Sequence, residues 1–215
     1  VLDVARLSIR AAGRQPSPGQ APSNQMLRDK TQTLICGVSW VYQRTDRLSE
    51  ARVHGEESLR RGEELGWSRN SAFCKKCIGR LLRLEAESCK DEDQRELLLR
   101  RSLTSLQEAI PIFEAGQDAD LGQGCEDVGE CLSLIGRSHL VSKDLKAARE
   151  AIIGAYEILE RFRPSKAWAD LVILDGELQL REGRTQVAID RSDEVLGNLP
   201  DGDSEISEIR ARAFL

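Results

Sequence analysis

Apolar residues recur every three to four positions along most of this chain, which is the spacing of one face of an α-helix. Stretches rich in polar residues, glycine and proline interrupt the pattern and separate one predicted helix from the next. The predicted helices span residues 26–45, 48–65, 69–88, 93–115, 122–141, 144–161, 165–182, 185–198 and 203–214. Because the joining loops are short, successive helices should pack antiparallel.

Composition agrees with an all-α fold. Good helix formers such as Ala, Leu, Glu and Arg dominate, and aromatic residues make up only 4% of the chain. The best strand candidate is WADLVILDG at 168–176, and one isolated strand cannot build a sheet. We therefore predict an all-α protein.

The sequence predicts four regions along the chain. Residues 1–12 are amphipathic and are interpreted as a helix fragment of a preceding element, and residues 13–25, rich in Pro, Gly and Ser, as a flexible linker. Helical repeats occupy 26–200, and a C-terminal capping helix is expected within 201–215. Since the first residue is Val1, we expect a processed chain or a piece of a longer one, so other domains of a parent chain are candidate partners.

The stretch SLQEAIPIFEAG at 105–116 contains a conflict between two signals. Ala109 and Phe113 stand four residues apart on one helical face, yet Pro111 lies between them, and proline inside a helix costs roughly 3 kcal/mol. Either the helix continues and absorbs Pro111 in its last two turns, or it ends at Ile110.

A small residue in one predicted helix is followed twelve residues later by an alanine in the next. A further small residue, Gly79, stands inside another predicted helix. Small residues at such positions allow two helix backbones to approach closely. The pairs are Ser39 with Ala51, Gly136 with Ala148, and Gly176 with Ala188.

These residues resemble the tetratricopeptide repeat, which places a small residue in its first helix, alanine early in its second, an aromatic four residues later and a proline at the end. SLQEAIPIFEAG resembles the second-helix signature, which makes Ala109 and Phe113 packing residues. The other matching positions are Leu132, Ile135, Gly136, Ala148, Ala155, Gly176, Gly183, Ala188 and Pro200.

The spacing departs from the usual period of that repeat, which is about 34 residues. The small residues Ser39, Gly79, Gly136 and Gly176 follow one another at longer intervals. This is similar to the long-repeat variant found in sensor arms of bacterial STAND-type regulatory ATPases. The resemblance implies a right-handed α-solenoid of about four antiparallel helix pairs, a TPR-like superhelix.

The sequence gives little support for a catalytic or metal-binding site. Cys74 and Cys77 form a CKKC motif, but a zinc site needs four ligands, and the pair shares an apolar helical stripe. We predict reduced structural thiols, with a metal or a redox site as alternatives. His139 takes a packing position, and no nucleophile elbow or phosphate-binding glycine loop occurs. We expect no enzyme and no cofactor.

Charge and hydropathy limit the partners and the location. A net charge of −5 supplies no global basic field, so nucleic acid is not expected as a partner. No apolar run approaches the ~20 residues that span a bilayer, and no secretory apolar segment is visible, so no membrane partner is expected. Six sparse cysteines favour a reducing, cytoplasmic setting.

The resemblance also implies a binding surface, because the first helix of each repeat lines the concave wall. Cationic and aromatic side chains there predict a groove for a protein or peptide with an acidic segment. The alternatives are arginines that merely solvate the helices, a sensing arm of a larger signalling ATPase, and a helical metalloprotein or enzyme with a cysteine site. The predicted concave residues are Trp40, Arg44, Lys76, Arg80, Arg83, Arg137 and Arg181.

Overall fold

The computed structural model describes residues 47–64, 66–115 and 123–198. Most of these residues lie in α-helices and none lies in a strand, which confirms the all-α prediction. The strand candidate at 168–176 is helical. In chain order the helices are α1 (Leu48–Glu64), α2 (Ser68–Ser88), α3 (Glu92–Ala115), α4 (Gln123–Val141), α5 (Leu145–Leu159), α6 (Lys166–Arg181) and α7 (Thr185–Asn198), with a 3-10 turn at Glu160–Phe162.

Several predictions fall outside the described residues. They are the helix fragment at 1–12, the linker at 13–25, the helices at 26–45 and 203–214, and the capping region at 201–215. For the helices that are described, the observed ends lie within three residues of the predicted ones.

Local capping explains why α5 and α6 begin where they do. Asp144 and Ser165 are the N-caps of α5 and α6, and each side chain accepts a hydrogen bond from a first-turn amide, Ala147 N at 3.0 Å and Trp168 N at 3.3 Å. Short oxygen-bearing side chains at this position satisfy amides that have no partner inside the helix.

Two helix ends share the same geometry. After α4 the backbone takes a left-handed turn at Lys143 (φ 65°), and after α6 it does so at Gly183 (φ 77°). In both turns the next amide reaches back to the helix: Asp144 N bonds His139 O at 2.9 Å, and Arg184 N bonds Gln179 O at 2.8 Å. This is the hydrogen-bond pattern of a Schellman motif.

Helix α3 continues through Pro111 to Ala115, so the first interpretation of SLQEAIPIFEAG is correct. Pro111 is exposed, whereas Ala109 and Phe113 are 0% and 1% exposed. The proline ring therefore faces solvent in the last turns of the helix. Only four helical residues follow Pro111, so a distortion there affects little of the helix.

The chain divides into two compact units, Val1–Ile112 and Phe113–Leu215. In the first unit α2 packs against both α1 and α3. A Cβ added to Gly55 of α1 would lie 3.2 Å from Ile78 of α2, and one added to Gly79 of α2 would lie 2.6 Å from Leu106 of α3. The small residues therefore mark places where helices approach closely.

In the second unit α6 contacts α4, α5 and α7 and is buried along almost its whole length. The core is built on Trp168, Leu171, Leu174 and Leu178, each at most 1% exposed. Between α4 and α5 the contacts run in opposite order along the two helices. A Cβ on Gly129 would meet Leu159, and one on Gly136 would meet Ile152.

The residues predicted as structural repeat positions are all buried where the structure describes them, as packing positions must be. Ser39 lies outside the described residues. The buried positions are Ala51, Gly79, Ala109, Phe113, Gly136, Ala148, Ala155, Gly176 and Ala188.

Candidate functional site

Helix α2 carries three of the predicted concave residues on one face. Lys76, Arg80 and Arg83 follow one another at intervals of four and three residues, which is helical spacing. The Lys76 ammonium lies 5.0 Å from the centroid of the Phe73 ring, and the Arg69 guanidinium lies 6.0 Å from it. Both distances suit a cation–π interaction.

The three cations on α2 differ in how much of their charge they present. Arg80 is half-buried and forms no ion pair with any residue of the described ranges. Arg83 is only 5% exposed and pairs with Glu87 one turn further along α2. Arg80 is therefore the cation of this face that has no ion pair in the described ranges, and the half-buried Lys76 lies one turn before it, against the Phe73 ring.

The adjacent Lys75 faces another way and has a structural role. Its ammonium lies 2.5 Å from Glu108 of α3 and 3.5 Å from Glu63 of α1. Burial lowers the pKa of Lys75, but the hydrogen bond and charge of Glu108, with the charge of Glu63, outweigh burial and leave that pKa raised. Lys75 thus connects three helices, whereas Lys76 lies on the face with Arg80.

In the second unit the predicted concave residues make contacts between α4 and α6. The Arg137 guanidinium lies 3.1 Å from a Glu177 carboxylate oxygen, and Arg181 donates a 2.6 Å hydrogen bond to the carbonyl of Leu140. Arg137 and Glu177 each directly follow the glycine of their helix, Gly136 and Gly176. Equivalent positions of the two helices therefore stand side by side in this unit.

The structure brings the predicted residues together as two sets, one on α2 in the first unit and one on α4 and α6 in the second. Trp40 and Arg44 lie outside the described residues. In the second set both arginines already have polar partners within the fold. Arg80, which forms no ion pair within the described ranges, is therefore the strongest candidate for contacting a ligand, and Lys76 lies one turn before it on the same face.

A buried polar cluster in the second unit was missed by the sequence analysis. Asp175 of α6 is 5% exposed and accepts hydrogen bonds from Arg191 Nε at 2.7 Å, Gln179 Nε2 at 2.7 Å and the Tyr156 hydroxyl at 3.2 Å. Burial, together with the negative charge of Asp175, raises the pKa of Tyr156. The available signal was an aspartate at the end of the apolar run LVIL.

The buried cluster joins α5, α6 and α7. Three donors on one carboxylate offset the cost of burying its charge. Arg191 also lies 5.7 Å from the centroid of the Tyr156 ring. With its carboxylate occupied in this way, Asp175 is suited to holding the three helices together and not to proton transfer.

The cysteines and histidines are dispersed. Of the cysteines that the structure describes, Cys74 and Cys131 are buried, Cys77, Cys89 and Cys125 are half-buried, and none forms a disulfide. Across residues 47–64, 66–115 and 123–198, no three His, Cys, Asp or Glu side chains come together to hold a metal ion. His54 is exposed and His139 is half-buried.

Comparison with known protein families finds no matching family model, and comparison with curated proteins finds no matching relative. The resemblance to the tetratricopeptide repeat stays a prediction that depends on the residues quoted above. None of the described helices has both the length and the apolar character needed to cross a bilayer.

Proposed function

We propose that this protein is a helical-repeat scaffold of the tetratricopeptide type that binds a protein or peptide partner through an acidic segment. The repeat itself is supported by one contact that occurs twice. A Cβ on Gly136 would lie 3.4 Å from the carbonyl oxygen of Ala148, and one on Gly176 would lie 3.6 Å from that of Ala188. The two contacts are separated by the same number of residues as the left-handed turns at Lys143 and Gly183.

These repeated contacts support antiparallel helix pairs, α4 with α5 and α6 with α7. In such a hairpin the middle of the first helix meets the beginning of the second, as Gly136 meets Ala148. Stacked pairs of this kind bury a core between neighbours and leave one long face open to an extended partner. We propose that the pairs continue as a right-handed α-solenoid.

The observation that carries the binding proposal is the set formed by Lys76 and Arg80 beside Phe73 on α2. The chain as a whole is acidic, with a net charge of −5, so a cationic face is a local feature and not a consequence of composition. Arginine offers a planar fork to a carboxylate, and an aromatic ring adds apolar contact area.

The equivalent position also carries charged residues on α4 and α6. Arg80, Arg137 and Glu177 each follow the glycine of their helix, and the ion pair between Arg137 and Glu177 orients α4 and α6 with this position on a shared side. Within the second unit, α4 and α6 would then contribute this position to one wall. We propose no catalytic role, and we propose that the protein works in the cytoplasm with its thiols reduced.

A peptide titration tests this function. A fluorescein-labelled peptide rich in Glu and Asp is titrated with the full chain, and a peptide of the same length with Lys in place of the acidic residues is the control. We expect the acidic peptide to bind and the basic one not to. Binding should weaken as salt is raised, because exposed charges are screened within about 10 Å at 0.1 M salt. Equal binding of both peptides, or of neither, contradicts the proposal.

A further inference from the structure

Helix α7 packs on the second unit with few buried side chains of its own. Only two of its 14 residues, Ala188 and Val195, are buried. Val195 packs against apolar residues on one face of α6. These residues, here called the α6 apolar group, are Trp168, Ala169, Val172 and Ile173. Helix α7 therefore covers the α6 apolar group while burying little of its own side-chain surface.

Two ion pairs connect α7 to the rest of the unit. Arg191 Nε lies 2.7 Å from a carboxylate oxygen of Asp175 on α6, and Glu194 pairs with Arg163, which directly follows the 3-10 turn. The side chains of Asp175 and Glu194 are only 6% and 25% exposed. Separating such a pair is costly when it leaves a buried charge without a partner. The cost of moving α7 away thus depends on what partners remain.

On the side of α5 and α6, both charged groups keep other partners. Asp175 also accepts hydrogen bonds from Gln179 Nε2 at 2.7 Å and from the Tyr156 hydroxyl at 3.2 Å. The Arg163 guanidinium also lies 2.7 Å from a carboxylate oxygen of Glu160. These partners belong to α5, α6 and the turn between them, so they stay in place when α7 moves away.

On the side of α7, the two charged groups are partners of each other. Arg191 Nη1 lies 2.9 Å from a carboxylate oxygen of Glu194, three residues later on the same helix. Breaking both ion pairs to the rest of the unit therefore leaves no charge unpaired. We propose that α7 is a lid that opens as one body about the left-handed turn at Gly183 (φ 77°) and uncovers the α6 apolar group, while α4, α5 and α6 stay folded.

Residue-resolved hydrogen exchange of the full chain under native conditions tests the lid. In the unmodified chain, α7 amides should exchange at least about tenfold faster than those of α6, because opening the lid costs less than unfolding the unit. Equal exchange rates in the two helices contradict the proposal.

Leu174→Ala separates opening of the lid from unfolding of the unit. Leu174 is fully buried in the core that α6 shares with α4 and α5, and this core stays intact when only α7 opens. The variant should raise α6 exchange at least about tenfold and leave α7 exchange unchanged. Ile152→Val, in the same core, is a milder second variant, expected to raise α6 exchange about twofold to tenfold. If α7 exchange rises in step with α6 exchange in the milder variant, α7 opens only with the whole unit and the proposal is wrong.

A matched pair of variants on α7 tests the ion pairs. Glu194→Gln should raise α7 exchange roughly threefold to tenfold, because the contact with Arg163 is weakened. Asp193→Asn removes the same charge from an exposed residue that forms no ion pair with the described part of the chain, and it should change α7 exchange little. The increase in Glu194→Gln should be equal at the amides of Ala188 and Val195, because the lid opens as one body. Equal effects of the two variants, or an increase that is confined to the end of α7, overturn the proposal.

Discussion

Two glycines in the α4–α5 pair should respond in opposite directions to the same substitution. A Cβ on Gly129 of α4 would lie 2.5 Å and 2.6 Å from two carbons of Leu159, which is fully buried. A Cβ on Gly154 of α5 would lie 3.6 Å from Leu132. Carbon atoms in favourable contact are about 3.5–4.0 Å apart, so the first methyl group overlaps its neighbour by roughly 1 Å and the second fits.

The expected magnitudes follow from two opposing effects. Replacing glycine by alanine inside a helix gains about 1 kcal/mol in either position. Overpacking a buried site costs about 1–3 kcal/mol, and only Gly129 incurs that cost. Gly154→Ala should therefore raise the free energy of unfolding by up to about 1 kcal/mol, whereas Gly129→Ala should lower it by about 0–2 kcal/mol.

The assay is urea denaturation of the full chain followed by far-ultraviolet circular dichroism. Hydrogen exchange of α4 and α5 locates the effect. Because helix propensity cancels between the two variants, their difference, about 1–3 kcal/mol, isolates the packing cost. A difference of that size corresponds to about 2–4 °C in Tm for each kcal/mol in a chain of this size. Equal effects, or greater stability for Gly129→Ala, would refute the close approach of α4 and α5 at Gly129.

Three further outcomes are expected. In denaturation experiments, Lys143→Gly should stabilise and Gly183→Lys should destabilise, each by about 1 kcal/mol, since both positions have left-handed backbone that a side chain disfavours; shifts of the same sign would contradict this. Asp175→Asn should cost about 2–3 kcal/mol and show coupling to Arg191→Gln in a denaturation cycle, whereas independent effects would remove Asp175 from its structural role. Because the pKa of Tyr156 is raised in the folded protein, its contribution to stability is present below about pH 10, the pKa of an unfolded tyrosine, and is lost as pH rises towards the folded pKa. Tyr156→Phe should reduce this loss of stability at alkaline pH, and an unchanged dependence of the free energy of unfolding on pH would contradict the argument.

The helices were predictable because their signals are local. Asp144 and Ser165 cap helices that follow them directly, and the breaker at Gly183 takes the left-handed backbone that ends α6. Pro111 was harder, since a proline signals both a helix end and a tolerated late turn. The apolar spacing of Ala109 and Phe113 pointed to the second outcome, and both residues are buried.

Spacing alone predicted some contacts and missed others. The twelve-residue interval led to the contact between Gly136 and Ala148. The same interval did not predict the contact of Gly79. A Cβ added to Gly79 meets Leu106, which lies well inside α3 and more than twelve residues further along the chain. The helical period of 3.6 residues also predicts the face on which a residue lies, but it does not predict how deeply that face is buried. Arg83 shares a face with Arg80, yet it is 5% exposed and paired with Glu87.

The polar partners of the candidate site depend on tertiary structure. Arg137 was predicted as a ligand-binding cation, and its partner Glu177 stands far along the chain on another helix. Asp175 gathers donors from α5, α6 and α7, which no single stretch of sequence displays. Such residues become recognisable only when the helices are placed side by side.

The most direct test of the proposed function compares two double charge reversals in the first unit. Lys76→Glu with Arg80→Glu changes the candidate face, and Arg60→Glu with Arg100→Glu changes two exposed arginines, whose side chains are 57% and 74% exposed and which pair with neighbouring glutamates in their own helices. Both variants change the net charge equally, and circular dichroism checks that both remain helical. The measurement is the Kd for the labelled acidic peptide. We predict that the first variant weakens binding at least about tenfold, since several charged contacts of ~0–1 kcal/mol each are lost and made repulsive, while the second changes it little. Equal weakening by both variants would contradict a specific binding face on α2.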